Sequence, residues 1–202
     1  MKDMLLSDLL KQETKANHQQ LEKMLVRQMK SVSTMEGYIK ILQLFYCYFG
    51  GLEEKINNFI LPQQMEEEHF FQRRKAIRLV NDIKVLGGIV KEKCTDKDLP
   101  EISNDLQAFG ALYVIEGSTL GGRVITKMMQ RQVDTESIHG FSFFTGYGDE
   151  TELRWSSFKQ LINNQGYNQD DKKVVVEAAN DTFVKFKRWI ETNAVVEFVS
   201  EK

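Results

Sequence analysis

The sequence predicts an all-α fold in a single domain spanning residues 1–202. Three observations predict it. Only two prolines, Pro62 and Pro100, interrupt the 202 residues. Apolar side chains recur at three- and four-residue spacing, the mark of helices that bury one face. Strand-like alternation persists nowhere, and neither an internal repeat nor a low-complexity tract is present. The length suits one domain with a substantial core.

The elements follow in order. A first helix is expected from about Met4 to Gln28, with Leu5, Leu9, Leu10, Thr14, His18, Leu21 and Leu25 on one broad face. A second begins at Ser33-Thr34-Met35-Glu36, a capping-box pattern, and runs to about Phe59. Gly50-Gly51 inside it marks a candidate kink. A third covers about Arg74 to Leu86 and stops at Gly87-Gly88, with a short helix from about Ile89 as a candidate sequel. After Pro100 a long helix from about Ile102 to Gln130 is interrupted by Gly117, Gly121 and Gly122. An irregular aromatic stretch, Gly140 to Gly148, separates it from two more helices, about Glu150–Asn163 and Gln169–Phe198.

Composition excludes several classes. A net charge of −2 lacks the basic excess of a nucleic-acid binder. Charged residues form 28% of the chain, and no apolar run approaches the ~18 residues of a membrane span. Met1–Asp8 carries an early acid and no apolar core of signal-peptide length, so a cytoplasmic protein is expected. Cys47, in an aromatic run, and Cys94, among lysines, read as free thiols.

Two features could carry chemistry. His18 lies on the apolar face of the first helix, with Lys11 seven residues before it and Glu22 four after. A lone histidine there is commonly a satisfied core residue. Neutral imidazole is also a good iron ligand, Glu22 could hold its other ring nitrogen, and Lys11 could meet an acidic group at a pocket rim. The second feature is Ala111–Ile125. Each interior helical glycine costs roughly 1 kcal/mol relative to alanine, so three within six residues need a reason. Close helix packing or a kink is one. The other is a face cleared of side chains for a flat ligand. No strand precedes the glycines and no Gly-Lys-Ser/Thr follows, which argues against a phosphate loop.

Together these segments resemble the heme oxygenase family. Leu10–Glu22 aligns the family's proximal histidine with His18. Glu116-Gly117-Ser118-Thr119-Leu120-Gly121-Gly122 resembles the distal-helix motif in the form of bacterial, bacteriophytochrome-associated members. Phe143–Gly148, with Trp155 and Phe158 downstream, is similar to the same branch. The order and spacing fit across nearly the whole chain.

The resemblance implies a heme oxygenase-like helical fold with a glycine-kinked distal helix. It implies heme, as substrate and cofactor, between the first helix and the glycine helix. His18 is then the iron ligand, with Thr14 and Glu22 beside it, and Gly117, Gly121 and Gly122 line the distal side. Lys11, Lys159 and Tyr113 are the expected propionate contacts, while Arg123 faces solvent. Oxygen bound at iron attacks the porphyrin edge, giving biliverdin, carbon monoxide and iron, with α cleavage as the default. A neutral histidine does not promote early O–O cleavage as a thiolate does. An external donor such as ferredoxin or a flavodoxin-type protein is implied, and a bacteriophytochrome or iron acquisition would take the products. Many members carry an aspartate that organises water where this chain has Ser118.

Three other readings compete. A non-catalytic heme-binding or storage protein would show the same His18 and glycines. An interaction module without heme is a second. A non-heme di-iron enzyme needs two Glu-x-x-His pairs, and Glu66…His69 and Glu136…His139 have that spacing in poorly helical contexts.

Overall fold

The computed structural model describes residues 4–60, 73–133 and 139–193. Nine α-helices are described: α1 (Leu6–Glu13), α2 (Lys15–Lys30), α3 (Met35–Asn57), α4 (Ile77–Val85), α5 (Asp105–Gly117), α6 (Gly122–Gln132), α7 (Ser142–Thr145), α8 (Thr151–Asn163) and α9 (Gln169–Thr192). Short 3-10 turns lie at Asp96–Asp98, Ser118–Gly121 and Gly148–Glu150. No strand occurs among the described residues. The all-α expectation therefore holds.

α5 is the axis of the fold, with every side chain from Ala108 to Glu116 buried. Its start is set by Asn104, whose side chain accepts from the Gln107 amide while Gln107 reaches back to Ser103. That cap moves the helix start to 105 from the expected 102. α9 lies against α5 at unusually close range, and Gly110 is the reason. A Cβ there would sit 2.3 Å from the Val175 carbonyl oxygen and 2.8 Å from the Ala178 methyl. On the other side α3 brings Phe45, Tyr48 and Phe49 against Phe143, Phe144 and Phe186. The buried hydroxyls in this core are satisfied: Tyr38 donates to the Gly140 carbonyl and Tyr48 to the Thr182 carbonyl.

Several expectations need correction. The first helix is divided at Thr14, whose hydroxyl donates to the Leu10 carbonyl at 2.7 Å and competes with the helical ladder there. The second helix is capped by Thr34, which accepts from the Gly37 amide, so the Ser33–Glu36 box does not form. Gly50-Gly51 leaves α3 a single helix; instead it admits a neighbouring segment. A Cβ on Gly51 would meet the Cys94 carbonyl at 3.1 Å, and the Cys94 amide donates to the Cys47 carbonyl. That segment is extended, so no short helix follows Ile89. α4 starts at Ile77 rather than Arg74, because Arg73 and Arg74 turn inward. The last helix is described to Thr192, and its expected continuation lies outside the described residues.

Both cysteines are free, Cys47 buried and Cys94 half-buried. Burial pushes the Cys94 thiol up to about 12, so it stays protonated and inert. Among the described residues no helix is long and apolar enough to cross a membrane.

Candidate functional site

The two motifs approach each other along one side of the molecule. α2 carries His18; the strip from α5 through the Ser118–Gly121 turn into α6 carries the glycines. α2 packs beside α6. At one end Thr14 and Tyr113 of α5 are both buried. At the other, the Gln132 amide donates to the Lys30 and Val32 carbonyls, both at 2.9 Å. His18 lies one turn after Thr14, and Gly117 one turn after Tyr113. The stretch between the two ends is the candidate slot.

His18 is exposed, contrary to its expected place on the buried face. α2 begins anew after Thr14 and buries only Leu21, Gln28 and Met29. The imidazole ring meets Phe183 of α9 edge-on, with centroids 5.6 Å apart. Behind it, Asn17 donates to Asn180 at 2.7 Å and Lys187 to Gln20 at 2.9 Å, holding α2 on α9. Glu22 is exposed one turn further on and makes no described hydrogen bond to His18.

The glycines divide by environment. None of the three has a positive φ, so left-handed backbone does not explain them. What matters is the missing side chain. A Cβ on Gly121 would meet nothing within 4 Å. One on Gly117 would touch the Trp155 ring at 3.5 Å. One on Gly122 would lie 1.8 Å from the Phe144 carbonyl oxygen. The four-residue spacing of Gly117 and Gly121 implies a shared face only in a continuous α-helix. The 3-10 turn winds faster, adding roughly 80° over four residues. Gly117 thus faces Trp155, Gly121 faces open space, and Gly122 lets α7 press against the strip.

The remaining site residues gather at the Thr14 end. Thr14 and Tyr113 are buried there. Burial raises the Tyr113 hydroxyl, so the phenol stays protonated as a donor. Its ring lies 5.3 Å from Trp155, and the Lys159 ammonium sits 5.9 Å from the same indole. Lys11 is exposed in the last turn of α1, which α8 holds through Asn163 and Ser7. Arg123 is exposed as expected and pairs with Asp149. Two open clefts lie on the surface, the second at the Gln132–Lys30 contact. One, of about 580 Å³, is lined by Arg73, Arg78, Tyr147 and Arg154. The other, of about 470 Å³, is lined by Lys30, Val124 and Gln132.

Sequence reasoning missed a buried polar network beneath the turn. Arg74, 2% exposed, donates to the Ile115 carbonyl at 3.0 Å and to the Ser118 hydroxyl at 2.6 Å. Ser118 donates in turn to the Ile115 carbonyl. Tyr147 accepts from the Arg74 amide and donates to Glu116, closing the circuit. One signal was available. Glu116 is the sole acid in the apolar run from Ala108 to Gly117, and a charge in a fully buried helix calls for a buried partner. Burial raises the Glu116 carboxyl above its ordinary 4.5, despite Arg73, Tyr147 and Arg74 pulling the other way. The folded chain therefore binds that proton more tightly than the unfolded one, and just above pH 4.5 stability falls as pH rises. Glu116→Gln is expected to flatten this slope in urea titrations across mildly acidic pH. An unchanged slope would remove Glu116 as its source.

The di-iron alternative finds no support. Glu66…His69 and Glu136-Ser137-Ile138 lie outside the described residues, and among the described ones no group of His, Cys, Asp and Glu could hold a metal.

The family model described as heme oxygenase matches residues 4–192. A heme oxygenase of Xanthomonas campestris pv. campestris (strain 8004) is 26% identical over 151 residues, 75% of this chain and 87% of its own length. The NO- and CO-bound heme oxygenase of Neisseria meningitidis has a TM-score of 0.80 at 23% identity, over 98% of this chain and 96% of its own. The heme oxygenase of Leptospira interrogans has a TM-score of 0.72 at 16% identity, over 92% and 98%. That of the cyanobacterium Synechocystis, in complex with heme, has a TM-score of 0.70 at 19% identity, over 95% of each chain. At these identities the structures establish a shared fold.

Proposed function

The chain belongs to the heme oxygenase family and is a heme oxygenase, and from that premise we propose that the slot between α2 and the glycine turn holds heme, with His18 on its iron. The observation that carries this is an exposed imidazole on α2 beside a turn cleared of side chains, with α2 held to α6 through Gln132. Bound there, heme supplies both the iron that activates oxygen and the porphyrin that is cleaved to biliverdin, carbon monoxide and iron.

The residues present fit such a group. Phe183 sets the plane of the His18 ring, and the exposed imidazole offers a ring nitrogen to a metal. Gly121 offers backbone without a side chain, so a flat ring and a small diatomic ligand fit beneath it. Lys11, Tyr113 and Lys159 supply donors on three different helices for two carboxylates at the slot's rim. Ser118 acts through the shape of the turn, because its hydroxyl proton is committed to the Ile115 carbonyl. Protons then reach the oxygen through water held by the backbone of the turn. Electrons come from an external donor of ferredoxin or flavodoxin type, and a bacteriophytochrome is a candidate acceptor for the biliverdin.

The test is reconstitution with hemin, followed by an electron donor under air. Loss of the heme band with growth of a bilin band is the expected result. A stable heme spectrum would favour storage, and absence of hemin binding would sink both readings.

A further inference from the structure

We propose that Arg74 is the positioning residue of the glycine turn, fixing its geometry for oxygen attack without touching the ligand. The proposal rests on the reading of that turn as the distal face. Within the 3-10 turn the Ser118 and Thr119 hydroxyls donate back to the Ile115 and Glu116 carbonyls, while Gly121 offers no side-chain contact. The long-range contacts come from below. The planar guanidinium of Arg74 bridges the Ile115 carbonyl and the Ser118 hydroxyl, the last turn of α5 and the first residue of the 3-10 turn. It rests 4.1 Å over the Phe143 ring.

The grip has its own foundation. Phe143 and Ser142 open α7, and both their amides donate to the buried Asp82 carboxylate of α4. The same short helix carries the Phe144 carbonyl that abuts Gly122. Arg74 and α7 therefore hold the turn from one side, at its first residue and just past its last. Glu116 is the buried counter-charge, joined to the Arg74 backbone through Tyr147.

Stability alone is a weak reason for this arrangement. A buried ion pair is commonly no better than an apolar replacement of equal volume. Here Arg74 Nε and Glu116 Oε1 have no hydrogen-bond partner among the described residues, a further cost. What an arginine does give is a rigid plane that stacks on Phe143 while one terminal nitrogen, Nη2, meets both acceptors. A lysine keeps the charge and loses that planar support.

The test compares Arg74→Lys and Ser118→Ala with the wild-type chain. Without heme, hydrogen exchange at the amides of residues 118–122 is expected to speed up roughly tenfold in Arg74→Lys, with α9 unchanged. Ser118→Ala, which leaves the buried charges intact, is expected to give a smaller increase in the same segment. In hemin-loaded protein, kcat is expected to fall several-fold at unchanged hemin Kd, with more than one biliverdin isomer formed. Unchanged exchange at 118–122, a uniform increase across all helices, or local loosening with wild-type kcat and product would each overturn the assignment. If Arg74→Lys fails to fold, Ser118→Ala carries the same comparison. The exchange measurement uses no heme, so its failure is separable from failure of wild type to bind or degrade hemin.

Discussion

His18→Ala is expected to fold normally and to lose the native iron ligation, with turnover down on the order of a hundredfold or more, ~3 kcal/mol of barrier. The ring is exposed and its described contact is the edge of Phe183, so the fold loses about 1 kcal/mol at most. α2 keeps its ties to α9 through Asn17 and Gln20. Loss of function is thus separable from loss of structure. The check is the absorption spectrum of the hemin complex, beside circular dichroism of the heme-free chain. Added imidazole should restore part of the spectrum, because the site would then lack only the ligand. A wild-type spectrum in the variant would remove His18 from the site.

The neighbouring glycines should part company. Gly122→Ala is expected to destabilise the fold by about 3 kcal/mol or more, because its methyl would overlap the Phe144 carbonyl and neither backbone is free to retreat. Gly121→Ala is expected to leave stability unchanged or raise it by up to about 1 kcal/mol, since the methyl enters open space and alanine favours helix. Larger side chains at 121 should keep the fold while lowering turnover or changing which biliverdin isomer forms. Urea unfolding of the heme-free variants tests the first contrast, and product chromatography the second. Equal stabilities for Gly121→Ala and Gly122→Ala would contradict the packing described. Normal rate and product from Gly121→Phe would count against its place over the ligand.

Much of this was legible in residue spacing. Periodicity located the long helices, because burial of one face repeats every three or four residues, and Glu150–Asn163 came within one residue of α8; it gave six helices and a candidate seventh where nine are described. What spacing could not reveal was where a helix changes pitch. The break at Thr14 depends on a hydroxyl finding the Leu10 carbonyl, and the 3-10 turn on contacts from distant segments. Those two departures decide that His18 is exposed and that Gly117 and Gly121 look in different directions. The Arg74 network was invisible for a related reason. Its long-range bonds span 31 to 73 residues of sequence, and an arginine in a polar stretch looks like a solvated charge until the fold closes over it.

The close seam at Gly110 has a mechanical consequence. There α5 and α9 meet backbone to backbone, with no compliant side chain between them. α2, by contrast, is held on α9 at the slot by amide and lysine contacts that water can replace. The molecule is therefore unevenly stiff, an anvil of α5 and α9 faced by a jaw that carries His18. On the function proposed, admitting a planar ring and shedding a ruptured one would be work for the jaw. The slot's opening rate should track the strength of the Asn17 and Gln20 contacts and be insensitive to the core beneath.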